Sequence, residues 1–384
     1  MQFISADKIY PISKPPLEKG VIVLDKENNI VDVLKNNDGI DEGKIKYYEG
    51  SISPGFVNAH CHLELSHLKD KCTKHKGLVH FLQEVVKVRN QFTKEEILTA
   101  IEHEDSAMLK NGIVAVGDIC NSTDTIEIKK RSKIHYHNFI ELIGFQPSSA
   151  TTVFQKGKLI VEEFSSLGLS VSLAPHAPYS VSEELKKLIF KNNSGKITSI
   201  HNQECEAENE FFKSGKGDFL SLYKNFGIDI SFHQPSDKSS LQTFMNNVEY
   251  LKKIALVHNT FINEEDIDCV SQHPIELFFC LCINANLFIE NKLPPIDILL
   301  NKNQKIILGT DSLASNHQLS ILNEIEQILK NYNSVKLEDA LKWATLNGAE
   351  FLGIQNRFGS IDIGKKPGLV VFDENEFKVK EVII

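Results

Sequence analysis

From residue 52 onward, apolar runs of strand length alternate with longer amphipathic stretches of helical period, and no other feature restricts the fold as tightly. The strand candidates are 52–59, 113–119, 134–143, 169–174, 197–200, 254–257, 277–283 and 306–308. Helix candidates between and after them cover 78–90, 95–110, 123–131, 152–166, 182–190, 206–224, 239–252, 263–271 and 317–331. Parallel neighbours cannot be joined by a tight turn, so each strand must be followed by a crossover, normally a helix. Eight strands, mostly followed by helix, therefore predict a parallel α/β architecture, the (β/α)8 TIM-like barrel. The segment 227–232 offers a ninth strand that such a barrel does not need.

The ends of the chain have a different grammar. Residues 20–25 and 30–34 are β-branched runs flanking the polar turn Lys26-Glu27-Asn28-Asn29, a hairpin signal. The tail from 358 returns to strand and turn chemistry, so both ends are expected to build one small β-domain. The expected division is 1–52 plus 358–384 for that domain and 53–357 for the barrel. A chain of 384 residues is long enough for both.

Composition narrows the partners. Against 42 Lys+Arg stand 51 Asp+Glu, a net charge of −9, which argues against a broad electrostatic grip on nucleic acid. No window approaches the roughly 20 apolar residues of a membrane span. The start, Met1-Gln2-Phe3-Ile4-Ser5-Ala6-Asp7, lacks the basic-then-apolar layout of a signal peptide. Seven cysteines at irregular spacing, without a CxxC, read as free thiols in a reducing compartment. The expectation is a soluble cytoplasmic protein acting on a small molecule.

The chemistry concentrates at strand ends. In Pro54-Gly55-Phe56-Val57-Asn58-Ala59-His60-Cys61-His62-Leu63-Glu64, side chains two apart on a strand share a face, so His60 and His62 can share one ion. His62-Leu63-Glu64 also matches the first half of a zinc-deaminase signature whose PCxxC half this chain lacks. Three further apolar runs end in polar groups: 197–200 in His201-Asn202-Gln203-Glu204, 254–257 in His258-Asn259, and 306–310 in Asp311-Ser312. The C-terminal ends of barrel strands converge on one mouth, where catalytic groups gather. Imidazole and carboxylate together suit a borderline divalent ion such as Zn²⁺.

The ordered strings PGFVNAHCHLELS, LAPHAPYSVS, SIHNQE, ALVHN and LGTDS resemble the amidohydrolase superfamily. Within it they resemble the cytosine-, guanine- and adenosine-type aminohydrolase branch with its chlorohydrolase relatives. The resemblance covers nearly the whole chain, including Ala344-Thr345-Leu346-Asn347-Gly348-Ala349 and 359–373. It implies that His60, His62, His201 and Asp311 bind one metal ion, Zn²⁺ or else Fe²⁺. It implies that Glu204 shuttles a proton, that His258 orients the attacked group, and that His176 lies on the substrate side. Binuclear members carry a bridging lysine at the end of a middle strand; neither 134–143 nor 169–174 ends in one, which favours one ion. Two positions depart from the pattern. Gln203 replaces a small residue before the glutamate and is expected to alter the pocket wall. On the seventh strand Ile283-Asn284-Ala285-Asn286 keeps only Asn286, carried forward as a substrate-binding residue.

The implied reaction is deamination of an aminated heterocycle, a purine-like base or nucleoside with aminodeoxyfutalosine as one candidate. Water activated on the metal attacks an sp² ring carbon, Asp311 accepts its proton, and Glu204 protonates a ring nitrogen before ammonia leaves. Glu141 and Glu64 are further candidates for substrate contact, and His67 stands close by. His233 and His317, the latter opening a helix, read as structural or exposed, and His135 and His137 lie at the start of their strand, away from the mouth. Cleavage of another C–N or C–Cl bond is the alternative enzyme reading, and a non-catalytic binding or scaffold barrel the alternative class. A homodimer is common for such barrels.

Overall fold

A computed structural model describes residues 1–37, 39–246 and 248–384. Eight parallel strands form the barrel wall: Phe56–Cys61, Ile113–Cys120, His135–Leu142, Ser170–Pro175, Ile197–Asn202, Lys253–His258, Glu276–Leu281 and Ile306–Leu308. We number them one to eight. The first, second, fifth and sixth are buried throughout, because inner side chains fill the barrel while outer ones meet helices. That two-sided burial is why the runs read as continuously apolar rather than alternating. Inside lie Val57, Ala59, Ala115, Phe139, Ala174, Val257, Phe278 and Ile307. Between wall and helices lie Ile101, Met108, Ile140, Phe164, Leu185 and Ile325.

Strands one to four pair in order, as do five to eight, all in parallel register. Two seams join these halves. At one, the Thr198 hydroxyl donates to the Leu173 carbonyl at 2.8 Å and His201 N–H to the His176 carbonyl at 2.9 Å. At the other, the N–H groups of Thr310 and Asp311 both donate to the His60 carbonyl, at 3.0 and 3.1 Å. The second seam sets the eighth strand directly beside the first.

Both chain ends supply one further sheet. Its order is Lys378–Ile383, Leu369–Asp373, Ile45–Pro54, Gln2–Ile9, Val21–Leu24, Ile30–Leu34. The hairpin read at 20–34 is present as the antiparallel pair Val21–Leu24 and Ile30–Leu34. The candidate strand 52–59 is instead two strands, one in each sheet, parted at Gly55. A Cβ on Gly55 would stand 2.4 Å from Val114 Cγ1, so only glycine lets the chain cross there.

Other boundaries differ for local reasons. The stretch 227–232 is loop, not a ninth strand. The single helix expected at 206–224 is two, Glu206–Ser214 and Phe219–Phe226, broken where Gly215 and Gly217 take φ of 67° and 92°. In 239–252, Ser240–Phe244 and a 3₁₀ turn at Val248–Tyr250 replace one long helix, and Asn247 lies outside the described residues. The seventh strand stops at Leu281, and the apolar run continues as helix Ile283–Glu290, buried by Ile283, Ala285 and Ile289. His317 precedes its helix, Ile321–Asn331, rather than opening it. No helix among the described residues is long and apolar enough to cross a membrane.

At the second seam, a Cβ on Gly309 would lie 2.8 Å from both His60 Cβ and the His60 carbonyl oxygen. Gly309→Ala should therefore lower stability by about 1–3 kcal/mol, the usual cost of overpacking. A urea unfolding midpoint equal to that of the parent protein would contradict the tightness of this seam.

Candidate active site

Three strand ends deliver four ligating residues to one point. His60 stands on the first strand and His62 just after it, His201 stands on the fifth, and Asp311 follows the eighth. His62 Nε2 lies 3.2 Å from both His60 Nε2 and His201 Nε2. Asp311 Oδ1 lies 3.4 Å from His62 Nε2 and 3.6 Å from His60 Nε2. Ligand atoms about 2.0–2.2 Å from a tetrahedral zinc stand roughly 3.3 Å from each other. The spacing therefore fits one divalent ion held by these four residues. His258 joins the cluster, with ligand atoms of His60, His201, His258 and Asp311 all within 4.8 Å.

The protonation states also fit. Burial pushes His62 down to about 3, His176 and His258 to about 4, and His201 well below its ordinary range. A neutral imidazole is the form that binds metal. Burial alone would raise Asp311, but a hydrogen bond from His60 and the attraction of His62 and His258 outweigh it and keep it ionised. Ser315 Oγ donates to the other Asp311 oxygen, Oδ2.

Neighbours fix which nitrogen faces the cluster. His201 Nδ1 donates to the His176 carbonyl at 2.8 Å, and His258 Nδ1 to Asn286 Oδ1 at 2.8 Å. Each ring thus presents its Nε2 lone pair inward. His258 Nε2 and His60 Nδ1 are buried without a hydrogen-bond partner. Such orphaned atoms signal a missing ligand or water. Glu141, His176 and His201 form a second grouping within 4.8 Å. There the nitrogen nearest Glu141, His201 Nδ1 at 3.6 Å, is already committed to a carbonyl. No lysine lines the cavity among the described residues.

Glu204 Oε1 lies 3.6 Å from His258 Nε2. Burial, reinforced by Asp311, Glu208 and Glu290, pushes its carboxyl well above the usual range, which makes it a proton donor at neutral pH. The backbone reaches this geometry through left-handed conformations at non-glycine residues: Gln203, His258, Asn259 and Asp311 have φ of 44°, 74°, 55° and 56°. Such strain persists where the surroundings over-determine it, and it clusters at functional sites.

A cavity of about 390 Å³ opens from the cluster. His62, His176, His201, Glu204, His258, Asp311 and Glu141 line its polar end. Glu141 Oε2 accepts from Asn121 Nδ2 at 2.9 Å, and burial raises its carboxyl to about 7. Three expected contacts lie elsewhere. Glu64 faces the loop after the second strand, where its Oε2 accepts the N–H groups of Asn121 and Ser122. Asn286 Oδ1 accepts from His258 Nδ1 and does not line the cavity. Gln203 does not form the pocket wall; its Nε2 donates to Asp266 at 2.8 Å and to Asn209 at 3.1 Å. His67 meets the Arg89 carbonyl and the Phe92 ring. His233 stacks on Phe211, and His137 is held between Ser170 and Ser172.

Sequence reasoning missed Asn121, Ser315 and Arg89. Asn121 follows the apolar run Ile113–Cys120 directly, the same signal that exposed His201, His258 and Asp311. It also missed a buried ion pair under the mouth. Asp118 Oδ1 accepts the Leu63 N–H at 2.8 Å, immediately after His62. Its other oxygen pairs with Lys129, which also donates to Asn138 Oδ1 at 2.6 Å.

The model of the amidohydrolase family matches residues 51–384. An adenosine deaminase of Helicobacter pylori is 27% identical over 350 residues, covering 89% of this chain and 83% of that protein. An aminodeoxyfutalosine deaminase of Nitratiruptor sp. is 24% identical over 375 residues, covering 93% and 88%. The crystal structure of Helicobacter pylori aminofutalosine deaminase in complex with methylthio-coformycin shares the fold, with TM-score 0.86 and 24% identity over 100% of this chain and 97% of that one.

Replacing Lys129 by Met leaves the Asp118 carboxylate buried without its partner, which typically costs about 3–5 kcal/mol. Lys129→Met should unfold at markedly lower urea and, through Leu63, bind zinc more weakly than the parent in a chelator competition. Parental values for both would contradict this account of how the His62 turn is held.

Proposed function

Because the chain belongs to the amidohydrolase family, we propose that it is a metal-dependent deaminase of an adenosine-like nucleoside. The observation that carries this reading is the convergence of three imidazole Nε2 atoms and one carboxylate beside the buried Glu204. His60, His62, His201 and Asp311 would hold the ion, with zinc favoured by three imidazoles and one carboxylate. A divalent ion there supplies Lewis-acid activation that makes water nucleophilic at neutral pH.

The remaining steps belong to the chain's own residues. His258, with its Nδ1 proton committed to Asn286, offers Nε2 as acceptor to the attacking water and aims it at the amine-bearing carbon. Asp311 accepts the water proton. Glu204 donates its proton to the ring nitrogen beside that carbon, so the ring does not carry negative charge in the adduct. The C–N bond then breaks as the amine takes the proton held by Asp311 and the adduct hydroxyl returns its proton to Glu204, giving ammonia and the oxo product, a net exchange of NH₃ for water. His176 and Glu141 line the same cavity, which supports a role for both in contacting the sugar or base.

The names of the similar deaminases support an adenosine-like substrate, and that of the Nitratiruptor protein supports aminodeoxyfutalosine as one specific candidate. All seven cysteines are free thiols, which supports a reducing, cytoplasmic setting.

Zinc-reconstituted protein should release ammonia from a 6-aminopurine nucleoside. Glu204→Gln should retain the ion and lose about 10²–10⁴-fold in kcat, the usual worth of a positioned proton donor. Ammonia from no nucleoside of a panel would overturn the deaminase reading, and full activity in Glu204→Gln would remove that residue from the mechanism.

A further inference from the structure

Four residues after Glu204 stands a second glutamate that reaches the site only through it. Glu208 is the third residue of helix Glu206–Ser214, whose N-cap is Cys205. An acid at that position ordinarily turns back to the N–H of the N-cap. Glu208 instead passes Cys205 and closes on the turn before it. Its Oε1 accepts the Gln203 N–H at 3.1 Å and its Oε2 the Glu204 N–H at 3.3 Å. Glu206, in the same first turn, is exposed, the usual place for an acid at a helix start; Glu208 is fully buried.

The turn it closes needs holding. Gln203 is a non-glycine residue at φ 44°, a conformation that persists only where the surroundings over-determine it. The Gln203 side chain is tied to Asp266 and Asn209, and its carbonyl accepts the Phe261 N–H at 3.0 Å. The Asn202 carbonyl accepts the Asn259 N–H at 3.0 Å. Asn259 and Phe261 follow His258, so the turns that carry Glu204 and His258 are bonded to each other. Among these contacts it is Glu208 that grips the backbone of Glu204 itself. Glu204 lines the cavity and Glu208 does not, so Glu208 acts on the reaction through its neighbour.

Resting on the deaminase reading above, we propose that Glu208 is the positioning residue of the proton donor. By holding the Gln203–Glu204 backbone in its strained turn, it keeps Glu204 Oε1 within 3.6 Å of His258 Nε2 and aimed into the cavity. The task requires two acceptors on one buried side chain. A carboxylate supplies both, whereas glutamine would turn an NH₂ group toward one of the two N–H donors. Substrate contact and ion binding stay with the residues that line the cavity.

The test is a double-mutant cycle on zinc-loaded protein with a 6-aminopurine nucleoside. Glu208→Gln should lower kcat about 10- to 100-fold, the worth of a hydrogen bond to a charged group, with KM and zinc content at parental values. In a Glu204→Gln background the same change should cost less than about twofold, because the carboxyl it aims is gone. Parental kcat in Glu208→Gln, or an equal loss in both backgrounds, would overturn the proposal, since a general loss of packing acts alike in both. Two further measurements do not depend on turnover. Crystals of Glu208→Gln should show Gln203 released from positive φ and Glu204 Oε1 withdrawn from His258; an unchanged turn would overturn the proposal. In the parent protein the Gln203 and Glu204 amides should exchange as slowly as those of the barrel strands, and fast exchange would overturn it even if the variant failed to fold. No ammonia from the parent with any nucleoside would instead sink the deaminase reading, and these two measurements would still decide whether Glu208 sets the turn.

Discussion

The His60 carbonyl, accepting N–H groups from both Thr310 and Asp311, is the contact on which the site depends. It closes the barrel by joining the last strand to the first. In the same stroke it fixes the Asp311 carboxylate beside the imidazoles of His60 and His62, residues some 250 positions earlier in the chain. Ring closure and site assembly are thus one event. That explains why Gly309 is glycine, why Asp311 tolerates a left-handed backbone, and why Asn58 secures Thr310 through Oγ1 and the backbone N–H alike.

Burial then sets the chemistry. With four histidines held neutral and Asp311 held ionised, the cluster has the charge pattern a divalent ion requires before any ion arrives. The same burial pushes the Glu204 carboxyl well above the usual range, and the negative charges of Asp311, Glu208 and Glu290 push it the same way. One environment therefore pushes two carboxyl groups in opposite directions and divides their roles, Asp311 as ligand and proton acceptor, Glu204 as proton donor. Nearby polar groups serve mainly to aim rings: Asn286 for His258, the His176 carbonyl for His201, Asp118 for the turn after His62.

Much of this was legible in the sequence because barrel strands buried on both faces leave an unmistakable apolar run, and each polar group that follows such a run stands at the mouth. His201, His258 and Asp311 were readable on that rule, and Asn121 would have been had it been applied to the second strand. The split at Gly55 was not readable, since the strands on either side are both apolar and only the approach of Val114 reveals the crossing. Direction was harder still. Glu64 and Gln203 lie close to site residues in sequence and Asn286 follows the seventh strand, yet the local backbone turns Glu64 toward Asn121, Gln203 toward Asp266 and Asn286 toward His258. Arg89, at the end of an amphipathic helix, reads as an ordinary solvated charge until the cavity wall places it.

The central claim is that closure of the barrel brings His60, His62, His201 and Asp311 around a single ion. Anomalous diffraction from crystals of the zinc-loaded protein, collected at the zinc edge, tests it most directly. The account predicts one peak per chain at about 2.0–2.2 Å from three Nε2 atoms and one Asp311 oxygen. A peak ligated by His258 in place of His62, a second peak at Glu141 and His176, or an ion bound elsewhere would contradict it.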